Sequence, residues 1–479
     1  MHFSVIIRIT GILLMLFSLL LALPGLLALS FGEPTALTFF YAFGITLLAG
    51  AALWLPNRTH RDLHSRDGFM ITTLFYLGLG AFGALPFYLS DTVSVSFVDA
   101  AFESMSGLTT TGATVLSGLD ALPRSLLMYR ALLQWLGGMG IIVLAVAVLP
   151  MLGIGGMQLY RAESPGPGKD RKLTPRITET AKALWYLYLG ITVACAICYW
   201  LAGMSGFDAI AHSFSTVAIG GFSTHDASIG YFDNPLIEAV AIVFMVVAGV
   251  NFGLHFVAIR RRTLITYLQD AEFTFYLAVL IGVAIIVCSL LVLSDTDQAL
   301  RKGIFHTVSI ATTTGFTTDN FSAWPSVTPF LLLFTAFAGG CGGSTAGGIK
   351  MMRVLLIYKQ GMREIMRLIH PSGVFPVKLN QRVVSDRVIE GVWGFFAAYV
   401  ILFLTIMSVL MTISPIDFVT AFSAVGACLN NLGPGLGEVA LNYAALSSPV
   451  KWILIFTMLL GRLEIFTLLV LLTPAFWRR

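Results

Sequence analysis

Long apolar segments recur along the whole chain, and they constrain its fold more than any other feature of the sequence. A helix needs about 20 consecutive apolar residues to cross the hydrocarbon core of a bilayer. Ten segments meet this requirement, the eighth of them interrupted by glycines: residues 9–29, 37–55, 69–90, 126–152, 183–203, 236–258, 273–293, 328–350, 390–413 and 450–474. The pattern predicts an all-α integral membrane protein whose helices are surrounded by lipid.

Composition narrows the class of protein further. Hydrophobic residues make up 57% of the 479 positions and charged residues only 11%, whereas soluble proteins carry about 25% charged residues. The net charge of +4 is too small for a nucleic-acid footprint. No zinc-ligand spacing and no phosphate-binding Gly-Lys-Ser/Thr loop occurs in the sequence. We therefore expect no enzyme activity, no covalent cofactor, no nucleotide site in this chain and no nucleic-acid partner.

Basic residues orient the predicted spans. They cluster in alternate connectors, which places all clusters on one face of the membrane. The clusters are Arg58 to Arg66, Arg161 to Lys182, Arg260 to Arg262, Lys350 to Arg387, and Arg478 with Arg479. Because basic loops stay in the cytoplasm, this face is predicted to be cytoplasmic, with both termini inside. More than half of the acidic residues fall on the opposite face, either as ordinary loop polarity or as a negative vestibule that concentrates cations.

Four short connectors on the predicted outer face end in similar glycine-containing stretches. These are Thr110-Thr111-Gly112, Ile219-Gly220-Gly221, Thr313-Thr314-Gly315 and Asn431-Leu432-Gly433. The last glycines recur at intervals of roughly 100 residues, which indicates a repeat of span, re-entrant segment and span. A serine precedes the glycine by six positions in three repeats (Ser106, Ser215, Ser309), and Ala427 replaces it in the fourth. The predicted domains are an N-terminal hairpin at 1–67 and pore repeats at 68–157, 158–262, 263–380 and 381–479.

The re-entrant segments are too short to span a bilayer, and non-helical backbone at membrane depth survives only where protein or water covers it. Four such stretches that meet on one axis solve this problem, because their carbonyl groups replace the hydration shell of a cation. The pore helices then direct their negative ends at the ion. The glycines permit the positive φ that such a turn requires. The alternative is that each glycine only ends a short helix.

Two further features lie at predicted mid-membrane depth. Residues 339–348 contain six glycines inside an otherwise apolar span, which predicts a break, either as a loop that obstructs the cavity or as a close helix contact. Arg462 and Glu464 lie midway along the last span, where an arginine is costly unless it faces protein or water. Arg462 either pairs with Glu464 or with backbone, or it faces the cavity. Lys350 either joins Arg462 in the cavity or extends to the cytoplasmic interface.

Several motifs resemble one transporter superfamily. They are Arg130 to Gly138, the four glycine stretches, Gly339 to Lys350, Asn430 to Gly435, and Gly461 to Glu464. Over essentially the whole chain the sequence resembles the TrkH/KtrB/HKT superfamily of K⁺ transporters, and most closely its bacterial Trk membrane subunits. The N-terminal hairpin also resembles those subunits, and KtrB lacks it. The second and fourth stretches depart from the threonine-rich pattern of the family.

The resemblance implies roles for particular residues. The twelve residues of the four stretches would form a K⁺ selectivity filter. Serine in place of the first glycine accompanies Na⁺ permeation in related plant transporters, so Gly112 implies a preference for K⁺. The loop residues Gly339, Gly340, Cys341, Gly342 and Gly343 would form a gate, with Lys350 and Arg462 beside it.

The predicted function is K⁺ uptake across a bacterial inner membrane through a gated pore, driven by the membrane potential. The resemblance implies a homodimer with a cytosolic nucleotide-binding ring similar to TrkA, for which Lys350 to Arg387 offers a docking surface. The alternatives are K⁺ uptake coupled to H⁺ or Na⁺, or the ion-binding subunit of a K⁺-pumping ATPase. An intramembrane hydrolase is disfavoured because no nucleophile–base constellation is found.

Overall fold

The computed structural model describes residues 3–57, 65–140, 177–325, 327–380 and 382–478. Three predictions from the sequence fall outside this part of the chain. They concern the basic connectors at Arg58 and Arg61 and at Arg161 to Arg176, the second half of the span 126–152, and the domain boundary between 157 and 158.

Two antiparallel helices, Phe3–Phe31 and Thr35–Trp54, form the N-terminal hairpin. They cross at Gly11 and Gly50, where a Cβ on either residue would lie 2.6–2.7 Å from the carbonyl oxygen of the other. Small residues allow this close approach, which is a common way for helices to associate in a membrane. The hairpin packs its inner side against the first repeat and shares one apolar core with repeats 1 and 4.

Each of the four repeats contains an outer helix, a short pore helix and an inner segment. The outer helices are Ser65–Gly83 (continued by Leu85–Tyr88), Ile177–Leu201, Ala271–Leu293 and Asp386–Ile413. The pore helices are Phe97–Leu108, Gly206–Val217, Ala299–Ala311 and Phe418–Leu429. The inner segments are Arg124–Trp135 with the π-helix Leu136–Gly140, Pro235–Ala248 with Phe252–Arg261, Thr328–Ala338 with Met351–Ile369, and Ser448–Arg462 with Phe466–Leu472. This arrangement is the predicted fourfold repeat with an additional hairpin.

The remaining elements are short. A 3₁₀ turn follows each glycine stretch, at Leu119–Ala121, Ser228–Phe232, Phe321–Ala323 and Gly437–Val439. Single helical turns lie at Ile265–Leu268 and Pro474–Trp477. The predicted all-α membrane fold is confirmed, with one short addition: Lys378–Leu379 pairs antiparallel with Arg382–Val383. This two-stranded hairpin lies in the basic connector before the fourth repeat, where the apolar pattern that favours helices is absent.

Six described helices are long and apolar enough to cross a membrane: Phe3–Phe31, Thr35–Trp54, Asp67–Tyr88, Lys182–Leu201, Ala271–Leu293 and Asp386–Ile413. Two bent helix pairs raise this number to eight if each pair counts as one span. The predicted spans 236–258 and 450–474 are therefore not continuous helices, since they bend by 93° and 115°. In the predicted span 328–350 the helix ends at Ala338.

In the part of the chain that is described, all four inner segments depart from regular helix near glycines. The departures occur at Gly137 and Gly138, at Gly249, at Gly339 to Gly348, and just after Gly461. Glycine weakens a helix, and the freed backbone groups here find partners in neighbouring repeats, as helix breaks inside a membrane require. From sequence we predicted only the break in the third repeat.

Candidate ion pathway

The four pore helices end at equivalent places. Each has 12 or 13 residues. Leu108, Val217, Ala311 and Leu429 end the helices four residues before Gly112, Gly221, Gly315 and Gly433. In repeats 1 and 2 the helix begins with a Ser-x-x-Asp capping box, in which Ser96 and Ser205 accept from the N–H groups of Asp99 and Asp208. A side-chain cap thus marks the start of these two helices, and in all four repeats the helix ends at the glycine stretch.

The same hydrogen-bonded turn closes every pore helix. The N–H of the residue before the glycine donates to the carbonyl of the residue six positions before the glycine, at 2.8 Å in all four repeats. The pairs are Thr111 to Ser106, Gly220 to Ser215, Thr314 to Ser309, and Leu432 to Ala427. Because this is a backbone bond, Ala427 makes it as well as the three serines do. This pattern is the Schellman motif of helix C-termini.

The turn forces a left-handed backbone on a residue that is not glycine. Thr110, Ile219, Thr313 and Asn431, each two residues before the glycine, have φ of 53°, 55°, 65° and 52°. Three of these side chains are β-branched, for which positive φ is rare and costs about 1–3 kcal/mol. Such strain persists only where the surrounding structure imposes it, and it marks these four turns as functional candidates.

The four glycine stretches abut one another in a closed ring. Their φ angles are 80°, 77°, 83° and 99° in chain order. A Cβ on Gly112 would collide with the carbonyl oxygen of Gly220, and one on Gly221 with that of Thr314. Equivalent collisions would occur between Gly315 and the Leu432 oxygen, and between Gly433 and the Thr111 oxygen. Each repeat thus contacts the next one along the chain, and repeat 4 contacts repeat 1.

This contact pattern makes the ring a candidate cation site. The carbonyl oxygens of Thr111, Gly220, Thr314 and Leu432 each lie against the glycine of a neighbouring repeat. Rings of backbone carbonyls replace the water shell of a cation. The four pore helices end at the ring, and a helix C-terminus carries partial negative charge.

Side chains compensate for the departures from the threonine pattern. In repeats 1 and 3, hydroxyl pairs brace the turn at 2.8 Å (Thr109 with Thr111, Thr312 with Thr314). In repeat 2, Gln134 fills the space that a side chain at Gly220 would occupy. Its Nε2 donates to the Gly220 carbonyl at 2.6 Å, and its Oε1 accepts from the Phe222 N–H at 3.0 Å.

In repeat 4 an asparagine takes over this bracing. The Nδ2 of Asn431 donates to the Thr111 hydroxyl at 2.9 Å and to the Met458 carbonyl at 3.0 Å. The first of these bonds fastens the last repeat to the first. Asn431 therefore supports the ring with its side chain as well as with its backbone.

A buried ion pair supports the ring from outside. Arg130, on the inner helix of repeat 1, donates from Nε to Glu103 at 2.7 Å, and both residues are at most 1% exposed. Its NH1 group also donates to the Ser223 carbonyl at 2.8 Å, while Glu103 accepts from the Val115 N–H at 3.0 Å. The pair thus ties together the segments that follow the first and second glycine stretches. Sequence reasoning missed Gln134, Arg130 and Glu103 as ring supports, although the first two lie in a motif noted above.

Several acidic residues of the outer face are paired with basic residues. Asp99 bonds Lys451 at 2.6 Å, Glu238 bonds Arg301 at 2.7 Å, and Asp319 bonds Lys302 at 2.8 Å. The first two pairs link segments that are far apart in sequence, whereas the third lies within repeat 3. These three carboxylates of the predicted negative vestibule are therefore neutralised locally.

One outer cluster contains a histidine. His225 donates from Nδ1 to Asp120 at 2.5 Å, its Nε2 lies 3.5 Å from Asp208, and its ring stacks on Tyr231. Burial disfavours the imidazolium, but the two carboxylates outweigh burial and raise the pKa of His225. The hydrogen bond from His225 in turn lowers the pKa of Asp120. The cluster joins the outer loops of repeats 1 and 2.

The loop between Ala338 and Met351 lies directly against the ends of three pore helices. The Thr345 hydroxyl donates to the Val217 carbonyl at 2.9 Å. The N–H of Gly347 donates to the Thr313 hydroxyl at 2.7 Å, and the N–H of Gly348 donates to the Asn430 carbonyl at 3.1 Å. The loop therefore lies immediately below the ring in repeats 2, 3 and 4.

Backbone bonds also fasten the loop to the bent inner segment of repeat 2. The Cys341 N–H donates to the Gly249 carbonyl at 2.8 Å, and the Phe252 N–H donates to the Gly343 carbonyl at 3.1 Å. Gly339, Gly343 and Gly348 have positive φ, which explains three of the six glycines. Gly340 packs closely on Ala346 and the Gly249 carbonyl, so the glycines form a loop that makes close contacts and not a contact between two helices.

Arg462 joins the loop to the first repeat. Its guanidinium donates to the carbonyls of Gly137, of Gly138 at 2.6 Å and of Thr345 at 3.2 Å. The alternative pairing of Arg462 with Glu464 is wrong, because Glu464 bonds Arg353 at 2.6 Å instead. The helix turns at Glu464 and Ile465, which both have positive φ, and this turn separates the two side chains.

Lys350 has a φ of 81°. Its ammonium donates to the Ala346 carbonyl, so the side chain turns back onto the loop and does not extend to the interface. Both predicted cationic residues thus contact the loop backbone.

Comparison with known proteins is consistent with this architecture. The TrkH family, described as "Cation transport protein", matches residues 36–479. The chain is 57% identical to the Trk system potassium uptake protein TrkH of Halomonas elongata and 53% identical to that of Escherichia coli K12, in both cases over 100% of both chains. It is also 42% identical to the Escherichia coli protein TrkG, over 100% of this chain and 99% of TrkG.

A solved structure has the same fold. The crystal structure of the potassium transporter TrkH from Vibrio parahaemolyticus superposes with a TM-score of 0.91, at 51% identity and over 100% of both chains. The chain therefore belongs to the TrkH family of cation transport proteins, a family of transporters and not of enzymes.

Proposed function

We propose that this protein takes up K⁺ across the inner membrane of a bacterium through the ring of backbone carbonyls. The observation that carries the proposal is that the four glycine stretches contact one another in a closed ring, from repeat 1 through repeat 4 and back to repeat 1. The names of the relatives support K⁺ as the transported ion. The ion enters from the acidic face, and the cytoplasmic face is the basic one, with both termini inside.

The filter consists of the three residues in each repeat that end in the ring glycine: Thr110, Thr111, Gly112; Ile219, Gly220, Gly221; Thr313, Thr314, Gly315; Asn431, Leu432, Gly433. K⁺ exchanges its water shell for their carbonyl oxygens, and the left-handed turns hold these oxygens in place. Because the neighbouring strands touch through glycine, the ring has no room to be lined by side chains. The membrane potential drives entry, at about 2.3 kcal/mol per charge per 100 mV.

The gate is the loop Gly339–Gly343 with its continuation to Lys350. Its contacts with Val217, Thr313 and Asn430 favour a position that blocks the path below the filter. Arg462 and Lys350 hold positive charge beside this path and repel a cation until the loop moves. Opening then requires the loop to exchange its hydrogen bonds for others.

The assembly is a homodimer with a cytosolic nucleotide-binding ring of the TrkA type. The surface that supports this proposal is the end of the helix Met351–Ile369, where residues 364–369 are exposed. Leu368 and Ile369 are 84% and 60% exposed there, and Arg367 lies beside them. Apolar and basic residues together on an exposed helix end favour docking of a protein partner.

The test is ⁸⁶Rb⁺ uptake in a bacterial host that lacks its own K⁺ uptake systems, with and without the cytosolic ring protein. We expect uptake that K⁺ competes for and that rises with the ring protein. Purified protein in liposomes, with H⁺ and Na⁺ gradients clamped at zero, then separates a pore from a coupled symporter. Absence of Rb⁺ uptake from a host whose membrane contains the protein would contradict the proposal.

A further inference from the structure

Glu272 is a buried carboxylate that the ion path does not use. It is the second residue of the outer helix of repeat 3, Ala271–Leu293, and is only 3% exposed. The cap of this helix is Asp270, whose Oδ1 accepts from the N–H groups of Glu272 and Phe273. The side chain of Glu272 is therefore not needed to start its own helix. A charge buried in this way is costly unless it is hydrogen-bonded.

Its hydrogen bonds lead to the loop. Oε1 of Glu272 accepts from the Gly342 N–H at 2.6 Å and from the Met352 N–H at 3.0 Å. Gly342 lies in the middle of the glycine-rich segment, whereas Met352 lies in the first turn of the helix Met351–Ile369. A carboxylate at a helix N-terminus is favourable. One oxygen atom thus fastens both the loop and the helix that follows it to the outer helix.

The position of Gly342 makes this attachment important. Its two neighbours, Cys341 and Gly343, bond the inner segment of repeat 2 through the Gly249 carbonyl and the Phe252 N–H. Glu272 holds the residue between them from repeat 3. The tip of the loop is therefore clamped between two repeats, and only the attachment from repeat 3 is made by a side chain.

We propose that Glu272 is a positioning residue for the gate, whose carboxylate holds the loop in its blocking position through Gly342. This inference rests on the proposed function of the loop. When the loop moves away, the bond to Gly342 breaks, while the bond to Met352 is retained by the helix N-terminus. The strength of the Gly342 bond therefore sets how often the loop leaves its position in the resting protein.

The test compares two substitutions of similar size. Glu272→Leu fills the same space but offers no acceptor, and Glu272→Gln keeps one acceptor oxygen without the charge. The readout is basal ⁸⁶Rb⁺ flux into proteoliposomes without the cytosolic partner. We expect about a tenfold rise for Glu272→Leu and a smaller rise for Glu272→Gln, because bonds to charged acceptors are the stronger ones. The ratio of K⁺ to Na⁺ flux stays unchanged, since Glu272 does not touch the ring.

Cys341 provides a second readout that does not depend on transport. Its side chain is 1% exposed and adjoins Gly342. In a chain where Cys195, Cys198, Cys288 and Cys428 are replaced by serine or alanine, we expect maleimide to label Cys341 faster in Glu272→Leu than in the parent. A parent protein without K⁺ flux would overturn the proposed function, while the labelling rates still test the role of Glu272.

The control is Glu238→Gln. Glu238 is also buried, at 4% exposure, but it bonds Arg301 on the outer face and not the loop. We expect it to lower thermal stability and to leave basal flux and Cys341 labelling unchanged. Labelling and flux at parental rates in a folded Glu272→Leu protein would overturn the proposal. If that variant does not reach the membrane, parental labelling in Glu272→Gln would overturn it equally.

Discussion

The ring of glycine turns and the four breaks in the inner segments lie close together, yet they differ in symmetry. The turns are equivalent down to one hydrogen bond of 2.8 Å that recurs in every repeat. The breaks are all different: a π-helix, bends of 93° and 115°, and a loop of twelve residues between Ala338 and Met351. The glycine turns therefore form a uniform layer, in which all four repeats are alike. The breaks in the inner segments form a divergent layer, in which each repeat differs.

The difference follows from the role that the proposed function gives to each layer, a filter for the ring and a gate for the loop. An ion that loses its water needs oxygen ligands from every side at once, so each repeat has to contribute the same group. A path is closed by one obstruction, so one repeat is enough for it. The other three breaks provide the surfaces on which that obstruction is fastened.

The largest effect is expected from disturbing the ring. Gly112→Ser places a side chain against the Gly220 carbonyl at a φ of 80°. Overpacking of this kind costs about 3 kcal/mol, and we expect the K⁺ over Na⁺ uptake ratio to fall about 100-fold, measured by competition against ⁸⁶Rb⁺.

Gly118→Ser is the matched control for this substitution. Gly118 also has positive φ, 72°, but no atom lies within 4 Å of its Cβ position. It carries the same backbone strain without a collision. Unchanged selectivity in Gly112→Ser, or an equal loss in both variants, would contradict the assignment of the ring.

A smaller effect is expected from removing the hydrogen bonds that hold the loop and the breaks of the inner segments together. Arg462→Ala removes the donors to the Gly138 and Thr345 carbonyls, so we expect basal flux to rise about tenfold. Arg462→Lys keeps the charge but not the planar guanidinium group, so its basal flux should lie between those of the parent and Arg462→Ala. Reduced flux in a normally folded Arg462→Ala protein would show that the residue supports packing or permeation and not closure.

A threefold effect is expected where the two layers meet. Ile219 is the one apolar residue among the four left-handed positions before the glycines, and it packs with Ala248 and with Ala346 of the loop. Ile219→Thr preserves the β-branched shape but weakens this contact by about 1 kcal/mol, so basal flux should rise a few-fold. Ile219→Val retains an apolar side chain and should change flux less. Equal flux in both variants would show that the loop does not rest on this residue.

The smallest effect concerns the outer cluster. His225 has a raised pKa and Asp120 a lowered one, so the charged pair stabilises the fold between their ordinary values of 3.8 and 6.5. This contribution is lost as pH rises through the raised pKa of His225. We expect the thermal midpoint of the purified protein to fall by about one degree on the alkaline side of 6.5. In His225→Gln this decrease should be absent, and an identical pH profile in both proteins would exclude the pair as its source.

The uniform layer was predictable because its determinants are local. Each pore helix ends four residues before a glycine, and that glycine recurs on one face of the membrane. Hydropathy then sets the number and position of most spans. The fourfold repeat followed from these two patterns together.

Most of the breaks in the inner segments were not predictable. Hydropathy measures the length of an apolar run but does not show whether the helix within it bends. The runs 236–258 and 450–474 continue through bends that Gly249 and the residues after Gly461 introduce. The partners described for Gln134, Arg130 and Glu272 lie between 27 and 93 residues away in sequence. Such contacts are set by how the repeats assemble. Of the alternatives for Arg462, the pairing with Glu464 failed for the same reason, whereas the pairing with backbone is observed.

The bond between Asn431 and Thr111 joins residues 320 positions apart. A ribosome that has delivered three repeats into the bilayer has made a structure with an open side, because the Thr111 oxygen then has no Gly433 beside it. On the proposed function, the dehydrating site therefore exists only once most of the chain has been synthesised, and a chain that ends before Gly433 has no closed ring.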